Sequence, residues 1–226
     1  MHAGDVAALA LGTWMLYVLD RMLDARLGVN EQHEDRHYFH GTNQIAFLCA
    51  MACAVPVLLV LLMHMQPMLL HAYLLLGLVL AAYFALIHTR PLAQRMPKEA
   101  AVGVIFSAAV FMPEWIAGAR GVVPLAVCFG VLCWMNCALI YEREHSQIQS
   151  AHWSTRFAIR HMRLLLWMLL TAGVGIGVAS RVAGASIVLS AAAMLALHSA
   201  GSRVMRLQFR IAADAALLTP LLFLIR

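Results

Sequence analysis

Trp14-Met15-Leu16-Tyr17-Val18-Leu19-Asp20-Arg21-Met22-Leu23-Asp24-Ala25-Arg26 ends an apolar segment, long enough to enter a bilayer, with two carboxylates four residues apart. On a helix, residues i and i+4 share a face, roughly 5–6 Å apart at Cβ, so Asp20 and Asp24 would present a paired negative site. Two like charges so placed repel unless a cation lies between them. Mg²⁺ is one such cation, because it takes one or two carboxylates together with substrate phosphates; Arg21 and Arg26 are the local alternatives. The plainer reading is a solvated helix end with surface ion pairs.

The composition of the whole chain decides the solvent. Of 226 residues, 63% are hydrophobic and 12% are charged, which points to an all-α, polytopic membrane bundle and excludes an ordinary soluble domain. A spanning helix needs roughly 20 mainly apolar residues. Eight segments qualify, at about 5–23, 44–63, 68–88, 99–118, 121–141, 162–179, 182–200 and 211–226, all within a single transmembrane domain covering 1–226.

The net charge of +5 would suit nucleic acid only if the cations were clustered without regard to the spans. They alternate by loop instead. Arg26 and Arg36 follow the first span, Arg90, Arg95 and Lys98 the third, Arg143, Arg156, Arg160 and Arg163 the fifth, and Arg203, Arg206 and Arg210 the seventh. The positive-inside rule then makes those loops cytoplasmic and predicts both termini outside a bacterial cytoplasmic membrane, with lipid and not nucleic acid as the surrounding partner. The first segment has Asp5, no preceding Lys or Arg and no small-residue cleavage site, so it reads as a permanent helix. Cys49, Cys53, Cys128, Cys133 and Cys137 fall inside spans without a Cys-x-x-Cys pair and read as small apolar fillers.

Polar residues inside or beside the spans are the candidates for chemistry. The loop from Leu27 to Asn43 holds Glu31, His33, Glu34, Asp35, Arg36, His37 and His40, a solvated surface or a transition-metal set. Met63-His64-Met65-Gln66-Pro67-Met68 is a tight turn whose Met and His residues serve packing or copper. In His88-Thr89-Arg90-Pro91-Leu92-Ala93-Gln94-Arg95-Met96-Pro97-Lys98, two prolines break helix and three cations gather, which suits a diphosphate or simple cytoplasmic anchoring. The fifth span ends in Tyr141-Glu142-Arg143-Glu144-His145, a second acidic helix mouth. Glu142 and Glu144 are two residues apart and point to nearly opposite faces of an ideal helix, so both serve one site only if the helix unwinds, whereas Asn136, Ile140 and Glu144 share a face. Asp214, inside the eighth segment, calls for a partner such as Arg210 or a polar group on a neighbouring helix.

Taken together, these patches resemble the UbiA superfamily of intramembrane prenyltransferases. Asp20 and Asp24 match the later two acids of the family's Asn-x-x-x-Asp-x-x-x-Asp motif, with Leu16 at the Asn position. Arg36-His37-Tyr38-Phe39-His40-Gly41 resembles the Arg-Pro-Leu-x-x-Gly run after it. Arg95 with Lys98 through Gly103 resembles the basic loop and following helix start. Ile140-Tyr141-Glu142-Arg143-Glu144 resembles the second motif in its Asp-Tyr-Glu-Gly-Asp form, with Ile140 in place of the leading Asp.

The resemblance implies an all-helical fold that binds an isoprenyl diphosphate through Mg²⁺. In this chain it assigns the metal to Asp20, Asp24 and Glu144, the catalytic role to these with Glu142, and diphosphate binding to Arg36, Arg95, Lys98 and Arg143. The expected activity is transfer of the prenyl chain to a lipid-soluble, aromatic or otherwise polar acceptor. Cyclisation of the chain by a UbiA-type terpene cyclase, or isoprenoid binding and scaffolding without chemistry, are the alternatives. A further class is a cofactor held by histidine pairs such as His37/His40, His64/His71 or His88/His198.

Overall fold

The structure is a computed structural model that describes residues 3–27, 43–87, 96–145, 148–201 and 204–223, with the backbone alone at 21, 24–27 and 150. Among the described residues there is helix and no strand. The α-helices are α1 (Ala3–Leu27), α2 (Gln44–Met63), α3 (Pro67–Ile87), α4 (Lys98–Ile116), α5 (Val122–Glu144), α6 (Trp153–Arg160), α7 (Met162–Ala179), α8 (Arg181–Ala200) and α9 (Arg206–Ala216). Short 3₁₀ turns cover Ile148–Ser150 and Thr219–Phe223.

Seven of these helices, α1 to α5 with α7 and α8, are long and apolar enough to cross a membrane. At 1.5 Å per residue α5 is roughly 34 Å long, matching a hydrocarbon core of about 30 Å. Many apolar side chains that would be anomalous on a soluble protein point outward here: Val178 is 91% and Ile45 78% exposed. Lipid contact removes that anomaly, because hydrocarbon solvates such side chains as well as a core does.

The expected eighth span, 211–226, takes a different form. Helix α9 begins earlier, at Arg206, ends at Ala216 after 11 residues, and gives way to the 3₁₀ turn. Its composition explains the break: Arg210 and Asp214 interrupt the apolar run, and Pro220 lacks the N–H that a continuing helix needs. The segment still runs beside α8. Thr219 Oγ1 donates to the Ser186 carbonyl at 3.0 Å and lies 2.6 Å from Ser190 Oγ, so the chain leaving the C-terminal end of α8 returns to the level of that helix's first half. Among the described residues, seven helices are thus of membrane length and the last segment is a broken run.

The described chain falls into two compact units, Met1–Leu78 and Val79–Arg226. In the first, α1 packs on α2. The tight turn predicted at His64–Pro67 is present, and Pro67 opens α3, where its missing N–H leaves nothing unbonded.

In the second unit α5 is the central helix. Leu132, Met135, Ala138 and Leu139 are at most 2% exposed and meet Met162 and Leu166 of α7, Ala191 and Met194 of α8 and Phe209 of α9 in one apolar core. The α7–α8 pair is brought close by glycine: a Cβ on Gly184 would stand 2.4 Å from Gly177 Cα and 2.6 Å from the Gly173 carbonyl oxygen. The same logic joins α4 to α5, where a Cβ on Gly103 would meet the Gly130 carbonyl at 2.5 Å. Ser180 caps α8 by accepting from the Ala183 N–H at 3.4 Å.

Candidate functional site

Helix α5 is apolar until its last turns and then turns polar while remaining central, so its late side chains must find partners on the helices around it. Each finds a different one. Asn136 is only 4% exposed and donates from Nδ2 to Asp214 Oδ1 of α9 at 3.0 Å. Glu142 lies 3.5 Å from His198 Nδ1 of α8. Arg143 donates to the Val204 carbonyl at 2.8 Å and sits over the Phe209 ring, 5.6 Å from its centroid. Glu144 accepts from Arg210 Nη1 of α9 at 3.3 Å.

The helix stays wound through Glu144, and the opposed directions expected of Glu142 and Glu144 are realised: one faces α8, the other α9. The two carboxylates therefore do not converge. Arg210 pairs with Glu144, not with Asp214 one turn later on its own helix, and the neighbour that Asp214 required is Asn136. Asp214 itself remains exposed.

A further polar link closes the same end of the unit. Glu99, in the first turn of α4, accepts from Thr155 Oγ1 of α6 at 2.6 Å. An acid there also suits the positive end of the helix dipole. Cys137 lies within electrostatic reach of both Glu99 and Asp214. Nothing in the sequence singled out Glu99, Thr155 or the Asn136–Asp214 bond. The available signal was weak: an acid one residue after Lys98, and an Asn in an apolar run.

Beyond Lys98 and Glu99 an apolar groove of about 420 Å³ runs along α4 and α5, lined by residues including Ala100, Val104, Trp115, Val127, Gly130 and Trp134. That volume is in the range of small-ligand sites. It is open because Gly103 and Gly130 let the backbones meet while their neighbours Val104 and Val127 point outward, 69% and 59% exposed. Among the described residues, the Trp134 indole N–H is buried without a hydrogen-bond partner, as is Asn136 Oδ1. Buried polar groups of this kind are uncommon and mark places where a further group can bond.

Of the residues proposed from sequence, Asp20 is half-buried on α1 in the first unit. The Asp24 side chain, Arg36 and Arg95 lie outside the described residues, as do His37, His40 and His88. Lys98 is half-buried at the start of α4. Glu144 is met by an arginine, and no group of three His, Cys, Asp or Glu side chains that could hold a metal ion occurs among the described residues. Exposed His64 and His71 each direct Nδ1 to a backbone carbonyl one turn back, Val60 at 2.8 Å and Pro67 at 2.6 Å. His198 meets Glu142.

Comparison with protein-family models, with characterised proteins and with solved structures yields no match to this chain.

Proposed function

We propose that the chain is a UbiA-like intramembrane prenyltransferase that takes an isoprenyl diphosphate and passes its chain to a lipid-soluble or aromatic acceptor. The observation that carries this reading is the apolar trough of about 420 Å³ along α4 and α5, whose lining begins at Ala100, two residues after Lys98 in the chain. A hydrocarbon tail fits an apolar surface of this kind. Lys98, with Arg36 and Arg95, would hold phosphate oxygens through charge-assisted bonds. The trough would keep water from the allylic carbon when the diphosphate departs. Asp20 and Asp24 are the residues that would hold Mg²⁺, which when bound neutralises the charge of the leaving diphosphate. Glu144, the third acid of the resemblance, accepts from Arg210 in this structure.

The proposal extends to orientation, with the loops rich in Lys and Arg on the cytoplasmic side of a bacterial membrane. A second reading, isoprenoid binding without chemistry, is favoured by one observation: Glu142 and Glu144 are already engaged by His198 and Arg210.

Binding of isoprenyl diphosphate to the purified protein tests both readings. Wild type should bind more tightly with Mg²⁺ than with chelator, and Asp24→Ala should abolish the difference. Arg95→Gln should weaken binding with and without metal, by about tenfold if one charge-assisted bond of roughly 1.5 kcal/mol is lost. Binding that is absent, or indifferent to Mg²⁺, overturns the prenyltransferase reading. Metal-dependent binding without turnover of any acceptor selects the second.

A further inference from the structure

Between Glu144 and Asp214 the sequence contains seven arginines and no Asp or Glu. The first three, Arg156, Arg160 and Arg163, lie on α6 and the opening turn of α7, and all three are exposed. Helix α6 is a short amphipathic piece between two helices of membrane length. Its inner face, Ser154, Thr155 and Ala158, is at most 4% exposed, and Thr155 is tied to Glu99 of α4. Its outer face carries Trp153 and Phe157, 65% and 45% exposed, and one turn into α7 Trp167 is 58% exposed. Arg156 donates from Nη1 to the Gln149 carbonyl at 2.9 Å and has no acidic partner among the described residues. Arg160 and Arg163 have no acidic partner among the described residues.

We infer that this surface binds the headgroups of anionic phospholipids in the surrounding leaflet. Connection to the ends of α5 and α7, both of membrane length, puts α6 at the height where a bilayer changes from hydrocarbon to headgroup. Exposed Trp and Phe beside Arg is the composition of an interfacial helix, the rings resting among acyl carbonyls and the cations reaching phosphate. A soluble phosphate would be served by the arginines but would leave both tryptophans in water. Charge complementarity is one-sided, because no carboxylate of the Glu144–Asp214 interval competes for the guanidinium groups. The inference is independent of the prenyl reading.

The test uses the full chain in nanodiscs of mixed phosphatidylcholine and phosphatidylglycerol, with the ratio of the two lipids retained by the protein measured after extraction. Wild type should retain phosphatidylglycerol in preference. The variant R156Q/R160Q/R163Q should lose the preference by roughly fivefold per arginine, the ratio equivalent to about 1 kcal/mol per cation near an anionic surface. Arg181→Gln, on the remote end of α8, should leave it unchanged. Should the triple variant not fold, R160Q alone and quenching of Trp153 fluorescence by brominated phosphatidylglycerol, compared with W153F, give the same readout. No preference in wild type, a preference that survives in a folded triple variant, or displacement of the lipid by inorganic pyrophosphate overturns the inference.

Discussion

Asn136 and Asp214 make the most consequential polar contact in the described structure, because one partner is almost wholly buried and the other is the carboxylate of a broken helix. Removing the amide takes from Asp214 the donor that Asn136 supplies and loses a bond to a charged group, a change on the order of 1–3 kcal/mol. Asn136→Ala should therefore lower the thermal unfolding temperature in detergent. Asn136→Asp should lower it further by setting two carboxylates together, and N136D/D214N should recover most of the loss by restoring one amide and one acid. An N136D protein as stable as wild type would show that the contact contributes little. The Glu144–Arg210 pair is weaker evidence for stability, since partly buried ion pairs lose in desolvation much of what they gain by attraction.

At the scale of helices, glycine decides which pairs approach closely. Gly184 has no room for a Cβ against Gly177, whereas Gly175, on the same helix as Gly177, has nothing within 4 Å of where one would stand. Gly184→Ala should destabilise α7–α8 by about 1–3 kcal/mol or more through overpacking. Gly175→Ala should be neutral or slightly stabilising, as helix propensity alone would have it. Equal effects in a thermal unfolding assay would mean that the crossing does not depend on close backbone contact. Gly103→Ala carries the same expectation for α4 and α5, and would also disturb the groove they form.

For the molecule as a whole, helix length and charge predict an arrangement of crossings that reporter fusions can read. Reporter fusions after Met65 and after Arg95 should read on opposite sides of the membrane, since α3 lies between them; the same side for both would remove α3 as a span. The broken run after α8 already reaches the level of Ser186 at Thr219. A reporter after Arg226 is therefore expected on the side opposite one placed after Gly201, and agreement between the two would confine the last segment to one half of the bilayer.

Helical class, membrane solvent and most helix limits were legible in the sequence, because apolar run length and the Lys/Arg alternation are properties of consecutive residues. Helix α2, Gln44–Met63, coincides with its expected span for this reason. The opposed directions of Glu142 and Glu144 were equally legible, since helical periodicity alone sets them. Which neighbours these residues meet was not. The pairings of Asn136 with Asp214, Glu99 with Thr155 and Glu144 with Arg210 join residues 78, 56 and 66 positions apart, and no local pattern carries such separations. The last segment shows the same division: its apolar content suggested a span, and its Pro and charges then broke the helix, but only packing along α8 determined the path it takes. Local chemistry specified the helices and their solvent; tertiary packing alone selected which polar groups meet, because each buried group takes whichever partner the neighbouring helices bring within reach.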